Sequence, residues 1–286
     1  MMKALPMPFE RRWFPVAEKL RVDLAMVRQG LAPSREKAQA MIMAGQVYVK
    51  EVKVLKASEK VTEDAELIVR GHVHPFVGRG ALKLDKALKV FGVDVTDAVA
   101  MDIGAATGGF TDVLLQNGAK HVYAIDDCYG QLDWKIRSDE RVTVMERTNA
   151  RYLTHEEITC VPGITVMDVS FISVKLILPV AADLMDHKGR FCILIKPQFE
   201  AGREHVGKKG VVRDPAVHRQ VIEDIAAFVP TMGYAMAQLD FSPITGPEGN
   251  IEYITELLPA ENVEKPVDEE RIAQIVSQAH KTLAKE

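Results

Sequence analysis

The stretch from Asp102 to Asp112 reads DIGAATGGFTD and directly follows the apolar run AVAM. Gly104, Ala105, Thr107, Gly108 and Gly109 are all small, and Phe110 opens the segment behind them, so the pattern is a turn through which backbone can approach a ligand closely. A triphosphate loop needs Gly-Lys-Ser/Thr, and no Lys follows Gly108 or Gly109. A dinucleotide fingerprint needs G-x-G-x-x-G, whereas the order here is G-A-A-T-G-G, so the first spacing fails. About twenty residues further on, HVYAIDD ends in Asp126, where a carboxylate after a strand can accept the hydroxyls of a ribose. Acidic Asp102 heads the turn and no basic residue is present for a diphosphate, so the pattern suits a cofactor with a ribose and no phosphate. S-adenosylmethionine fits that description. A tight turn with no ligand is the other reading that these residues leave open.

The elements that must position this turn alternate along the chain. Strand-like runs stand at VAMDIG, HVYAID, VTVME, ITVMDV, RFCILI, AMAQLDF and IEYITELL. Helical patterns fit at 108–117, 131–138, 172–186 and 215–229, the last capped by Asp214 with Pro215 in its first turn. Ahead of them, ALKLDKALKVFG places Leu84, Ala87, Leu88 and Phe91 on one face and stops at Gly92. The alternation predicts an α/β fold, a doubly wound seven-stranded Rossmann-like sheet over residues 81–260. The last two strands are joined by Ser242–Asn250, too short for a crossover helix, so they should pair antiparallel.

In front, KLRVDLAMVRQG and SREKAQAMIMAG read as two short helices with glycine stops, and QVYVK, VKVLK and AELIVR as a small antiparallel sheet. This defines a small α+β domain at 20–70. Residues 1–19 read as a flexible extension, 71–80 as a Gly-, Pro- and His-bearing linker, and 261–286 as a tail ending in an amphipathic helix.

The formal charge of −4 conceals an asymmetry. Residues 1–60 hold seven Lys and five Arg against six acids, a net +6, which leaves −10 on the rest of the chain. The basic segment points to a polyanionic partner. No run approaches the ~18 apolar residues of a membrane span and the start lacks the apolar core of a secretory signal, so the expected location is the cytoplasm. Cys128, Cys160 and Cys192 have no metal or disulfide spacing, and His72, His74, His155, His187, His205 and His218, without ligand spacing, are expected at the surface or in the linker.

Together, DIGAATGGFTDVLLQNGAKHVYAIDDCYGQL, ERTNAR, DVSFIS, KPQFE and GPEGNIEY resemble the TlyA family of ribosomal RNA 2′-O-methyltransferases, also called haemolysin A, over about residues 20–258. The resemblance implies an RNA-binding domain like that of ribosomal protein S-four over 20–70 and an FtsJ-like catalytic domain behind it. It also implies a Lys-Asp-Lys-Glu tetrad at Lys83, Asp168, Lys196 and Glu252, and methylation of ribosomal RNA with cytidine as the usual target.

The chemistry agrees with that set. Asp168 and Lys196 end the fourth and fifth strands, at the carboxyl edge where open sheets bind ligands, with Glu252 on the last strand and Lys83 at the start of the helix that precedes the first strand. A ribose hydroxyl must lose a proton as it attacks a methyl sulfonium. Lys196 is therefore expected as general base or hydroxyl-positioning group and Lys83 as orienting cation, an assignment that the sequence alone leaves open to exchange. No metal is required. Asp102, Gly104, Ala105, Thr107, Gly108, Gly109, Phe110, Asp126, Asn149 and Asp168 form the expected cofactor site, in which Asn149 either faces the adenine or caps a turn. Phe171 and Phe199 either stack on a splayed nucleotide or pack at the cleft rim. Arg21, Ser34, Arg35, Lys37 and Lys50 of the small domain are expected to face RNA. The same holds for Arg203, Lys208, Lys209 and Arg213 of a loop that should close over RNA and move without it. A membrane-lytic protein and an RNA-binding protein with a silent catalytic domain are the rival readings.

Overall fold

A computed structural model describes residues 19–43, 45–50, 52–62, 65–69 and 74–283. The chain divides into two compact units between Val73 and His74. The expected extension lies outside the described residues except for Lys19, as do positions 71–73 of the expected linker.

In the first unit, β1 (Lys19–Arg21) leads into α1 (Val22–Arg28) and α2 (Arg35–Met43). Then follow β2 (Val47–Val49), β3 (Val52–Lys53), β4 (Lys60–Thr62) and β5 (Leu67–Val69). The helix expected from Leu20 starts two residues later, because Lys19–Arg21 is extended and pairs antiparallel with Lys60–Thr62. The other three strands form an antiparallel sheet in the order β3-β2-β5. Val22, Ala25, Met26, Ala38, Ile42 and Val47 fill the core between helices and sheet.

The second unit runs through α3 (Ala81–Phe91), β6 (Val99–Ile103), α4 (Gly109–Gln116), β7 (His121–Asp126), α5 (Trp134–Arg137) and β8 (Val142–Glu146). It continues through β9 (Ile164–Met167), α6 (Leu178–Leu184), β10 (Arg190–Ile195), α7 (Pro197–Glu200), α8 (Pro215–Phe228), β11 (Tyr234–Phe241), β12 (Tyr253–Pro259) and α9 (Glu269–Leu283). Leu84, Ala87, Leu88 and Phe91 are buried on α3, and Gly92 ends it in the left-handed region at φ 66°. The helix expected at 172–186 is split. A 3-10 turn at Val174–Leu176 precedes α6, because Pro179 has no N–H to continue the turn and instead starts a helix.

Two boundaries move. Residues 74–80 belong to the second unit and are not a free linker: Phe76 is buried in its core and the Val77 N–H donates to the Asp112 carboxylate at 2.9 Å. The expected tail is also part of this unit. The apolar face of α9 sinks Ile272, Ile275, Val276 and Ala279 into the main core, at about 1.5–3 kcal/mol per large aliphatic side chain.

The seven strands lie in the order β11-β12-β10-β9-β6-β7-β8, and β12 alone runs against its neighbours. The chain leaves β6 toward β7 and β8, then returns to place β9 on the other side of β6. The order therefore reverses between β6 and β9, and ligands bind at such a switch point beyond the strands' carboxyl ends. The register aligns Ile103 with Met167, so Gly104 and Asp168 emerge side by side.

Candidate active site

Four charged side chains meet at this carboxyl edge. Lys83 Nζ lies 2.6 Å from Glu252 Oε2 and 3.2 Å from Asp168 Oδ2, and Lys196 Nζ lies 2.6 Å from Asp168 Oδ1. The result is an alternating chain, Glu252–Lys83–Asp168–Lys196, in which Asp168 bridges the two ammonium groups. Lys196 also donates to the Ser170 hydroxyl at 3.1 Å, and Gln198 Nε2 donates to Glu252 at 3.3 Å. Glu252, expected on the last strand, immediately precedes it; since β12 is antiparallel to β10, its start lies beside the end of β10 and thus beside Lys196.

All four groups are largely withdrawn from water, with side-chain exposures of 9% for Lys83, 18% for Asp168, 8% for Lys196 and 2% for Glu252. Burial works against the Lys83 ammonium, but Asp168 and Glu252 outweigh it and hold its pKa above the ordinary lysine value. Burial likewise opposes charge on Asp168, and Lys83 and Lys196 more than offset it, so its pKa lies below the usual carboxylate range. Lys83 is thereby a fixed cation clasped by two carboxylates, whereas Lys196 shares one carboxylate and reaches a hydroxyl.

The tetrad lines a cavity of about 490 Å³ together with Ala105, Thr107, Gly109 and Phe110. A second cavity of about 530 Å³ adjoins it, walled by Asp126, Asn149 and the apolar Ile103, Ile125 and Ile177. Gly104, Ala106, Asp168, Ser170 and Phe171 border both. At Gly104 the backbone is left-handed, φ 86°, and a Cβ would stand 2.9 Å from the Asp168 carbonyl oxygen, so only glycine lets the turn pass this close to β9. The Asp126 carboxylate accepts from the N–H of Ala106 and of Cys128, each at 2.7 Å, which leaves its further lone pairs for hydroxyl donors. Asn149 caps the turn at Ala150–Tyr152, accepting from the Arg151 N–H, and lines the second cavity as well.

Two residues expected against the cofactor lie behind the cavity walls. Asp102 is fully buried, and its Oδ2 accepts from the Thr111 N–H at 2.9 Å and hydroxyl at 2.6 Å, so it fastens the start of α4 to β6. Burial pushes its pKa up to about 7 against the lowering effect of these bonds. Gly108 precedes α4 at φ 87° and faces Leu132 and Ile136, its absent Cβ leaving room for both.

Both units match known protein families. Residues 76–257 match the FtsJ-like methyltransferase family, and residues 20–73 match the S4 domain. The 16S/23S rRNA (cytidine-2'-O)-methyltransferase TlyA of Mycobacterium tuberculosis (strain CDC 1551 / Oshkosh) is 41% identical over 239 residues, which span 83% of this chain and 89% of that protein. The chain belongs to the TlyA family of FtsJ-like methyltransferases. YqxC of Bacillus subtilis (strain 168), provisionally named an rRNA methyltransferase, is 52% identical over 270 residues, 93% of this chain and 96% of its own. A solved Streptococcus thermophilus structure, provisionally called a hemolysin, superposes with a TM-score of 0.75 at 44% identity, covering 94% of this chain and 98% of its own. Among the described residues of this TlyA-family chain, no helix is long and apolar enough to cross a membrane.

The residues expected to face RNA fall into two groups, one in each unit. In the first unit, Asp23 is fully buried and accepts from Arg21 at 2.8 and 3.0 Å, from Arg35 at 2.9 Å and from Gln39 at 2.8 Å. The Arg21 hydrogen bonds, against burial and helped by Gln39 and Arg35, hold the Asp23 carboxyl well below the usual carboxylate range. The two guanidinium groups are thus fixed by one buried anion while remaining partly exposed. Ser34 accepts from the Lys37 N–H at the start of α2, Lys37 is exposed, and Lys50 stands exposed at the β2–β3 turn with φ 56°.

In the second unit Arg203, Lys208, Lys209 and Arg213 are exposed. Their loop is anchored at its far end: Val211 and Val212 are buried, and Asn250 donates to the Gly210 carbonyl at 2.9 Å and accepts from the Val212 N–H at 3.1 Å. Phe171 is almost fully exposed with φ 65°, and its ring centre lies 5.1 Å from that of Phe199.

His218, expected at the surface, is fully buried. Its spacing with Val221, Ile222 and Ile225 puts it on the apolar face of α8, a periodicity visible in the sequence. Ser170, Gln198 and Asn250 were also missed. They lie inside the stretches DVSFIS, KPQFE and GPEGNIEY, but their partners come from other strands and loops, which spacing along the chain does not show.

Proposed function

We propose that this chain transfers a methyl group from S-adenosylmethionine to a ribose 2′-hydroxyl of ribosomal RNA, with cytidine as the target nucleoside. The observation that supports it best is the Glu252–Lys83–Asp168–Lys196 chain, set where the catalytic cavity meets a second cavity suited to an adenosine. The residues of that second cavity fit the cofactor: Asp126 offers a carboxylate to ribose hydroxyls, the isoleucines offer apolar faces to a base, and Gly104 permits close backbone approach. When bound, the cofactor supplies a methyl group already activated by the sulfonium charge.

The protein's own groups do the rest. Lys83, held above its ordinary pKa by two carboxylates, stays an ammonium and therefore serves as the fixed cation. Asp168 holds Lys196 so that Nζ faces the cavity, and this Nζ is assigned to orient the 2′-hydroxyl and, after releasing its own extra proton to solvent, to take the hydroxyl proton as a neutral amine while the C–O bond forms. Glu252 balances Lys83, and Phe171 with Phe199 offers an aromatic surface to the nucleotide that enters. The RNA backbone is gripped by the cations of both units, which position it without reading bases.

The test combines calorimetry with S-adenosylmethionine and transfer of tritiated methyl groups to ribosomal subunits. The intact protein is expected to bind the cofactor and label ribosomal RNA. Lys196→Ala should bind it equally and lose about 100-fold or more in rate. Full activity in that variant overturns the assignment of Lys196, and absence of cofactor binding overturns the reading itself.

A further inference from the structure

We infer that His218 is a positioning residue which locks the basic loop 206–213 to the catalytic strand, an inference that rests on the reading of this site as an RNA methyltransferase. The imidazole is fully buried beneath the loop. Its Nε2 lies 3.0 Å from the Val212 carbonyl, and its Nδ1 lies 2.8 Å from the Tyr253 hydroxyl and 3.2 Å from His280 Nε2. A carbonyl oxygen can only accept, so Nε2 carries the hydrogen and Nδ1 of the neutral ring is the acceptor. Tyr253 O–H therefore donates to His218, and His218 donates to Val212. Burial with little compensation lowers the His218 pKa to about 4, consistent with this neutral ring.

The consequence is geometric. Tyr253 directly follows Glu252, the partner of Lys83. Val212 is gripped from both sides, its N–H by Asn250 and its carbonyl by His218, and Asn250 lies two residues before Glu252. The strand that directly follows the buried glutamate and the root of the loop are thus one piece, against which His280 of α9 packs. This piece carries Gly210, which walls the catalytic cavity, and a separate opening of about 340 Å³ whose charged and imidazole lining is His205, Lys208, Lys209, Arg213 and one acid, Asp214, which accepts from the Ala216 N–H as the cap of α8. An opening with that lining takes a phosphodiester oxygen of RNA. The lock fixes the distance between that backbone contact and the tetrad, and hence where along the strand the reacting ribose stops.

The test uses full-length variants. His218→Gln keeps a donor in reach of the Val212 carbonyl, and His218→Asn keeps only the acceptor side. Tyr253→Phe removes one hydroxyl and preserves the packing, so it remains informative should His218→Ala fail to fold. Hydrogen exchange of amides 206–213 and steady-state methyl transfer to ribosomal subunits are both measured. His218→Ala and His218→Asn are expected to speed exchange at Gly210–Arg213, and to raise KM for RNA, by about tenfold, the weight of one net buried hydrogen bond. In these variants kcat stays within about threefold and cofactor affinity is unchanged. His218→Gln should restore both quantities to within about threefold, and Tyr253→Phe should shift them about threefold. Unchanged exchange in the Ala and Asn variants overturns the lock. A loss of kcat and cofactor affinity at constant KM also overturns it, since that would be general destabilisation. If the unaltered protein labels no RNA, the functional reading fails, and the exchange measurements alone decide the lock.

Discussion

Replacing Asp102 with Asn removes a charge from the interior without removing the shape that holds the glycine turn. The carboxyl is fully buried, its Oδ2 takes both Thr111 hydrogen bonds, and its Oδ1 is buried with no hydrogen-bond partner. Burial first, with Asp168 and Asp126 adding repulsion, lifts its pKa to about 7 from 3.8 despite Thr111. A raised carboxyl pKa means that its stabilising contribution is whole below the unfolded value and fades as pH rises through the folded one. Three units at 1.36 kcal/mol each make the full cost about 4 kcal/mol. Integration gives about 1.5 kcal/mol of that at pH 5 and nearly all of it at pH 7.5. The Asn side chain keeps an acceptor for Thr111 and places an N–H group on the partnerless side, a penalty that does not vary with pH. Urea unfolding followed by hydrogen exchange at the buried β6 amides reports the stability of this unit alone. Relative to the natural protein, Asp102→Asn should gain about 2.5 kcal/mol between pH 5 and pH 7.5. A difference between the two proteins that is the same at both pH values would refute the reasoning.

Lys83→Met should lower the stability of the second unit by about 3–5 kcal/mol, because it strands the buried Glu252, and should abolish methyl transfer. Urea unfolding and the tritium assay check both, and a variant as stable as the natural protein would show the pair to be dispensable. Asp23→Asn frees Arg21 and Arg35 from their mount while leaving every cation in place, so affinity for duplex RNA should fall about tenfold with an unchanged salt slope. Simple neutralisation of an acid beside a binding face predicts tighter binding instead, and fluorescence titration across salt concentrations separates the two outcomes. The same variant should lose the stability that the depressed Asp23 carboxyl confers above pH ~4, which in the natural protein disappears only on stronger acidification.

The sequence by itself determined the alternation of strands and helices, the glycine turn between β6 and α4, and the antiparallel hairpin of β11 and β12. Each follows from local patterns: apolar periodicity, small residues where backbone must turn, and a connection too short for a crossover. Asp168 and Lys196 were marked by the family resemblance of DVSFIS and KPQFE, and their place at the ends of apolar runs agrees with it. What it misplaced depended on burial. Asp102 looked like a ligand-facing acid and is a buried fastener of α4, His218 looked like a surface residue and is a buried link, and 74–80 and α9 looked peripheral and belong to the core. Only the tertiary structure decided how the tetrad closes. The return of β9 to the far side of β6 brings Asp168 beside Gly104, and the reversal of β12 sets Glu252 at the edge where Lys196 follows β10. Glu252, Lys83, Asp168 and Lys196 are far apart in the chain. Their pairing is a property of strand order and register, which no local spacing encodes.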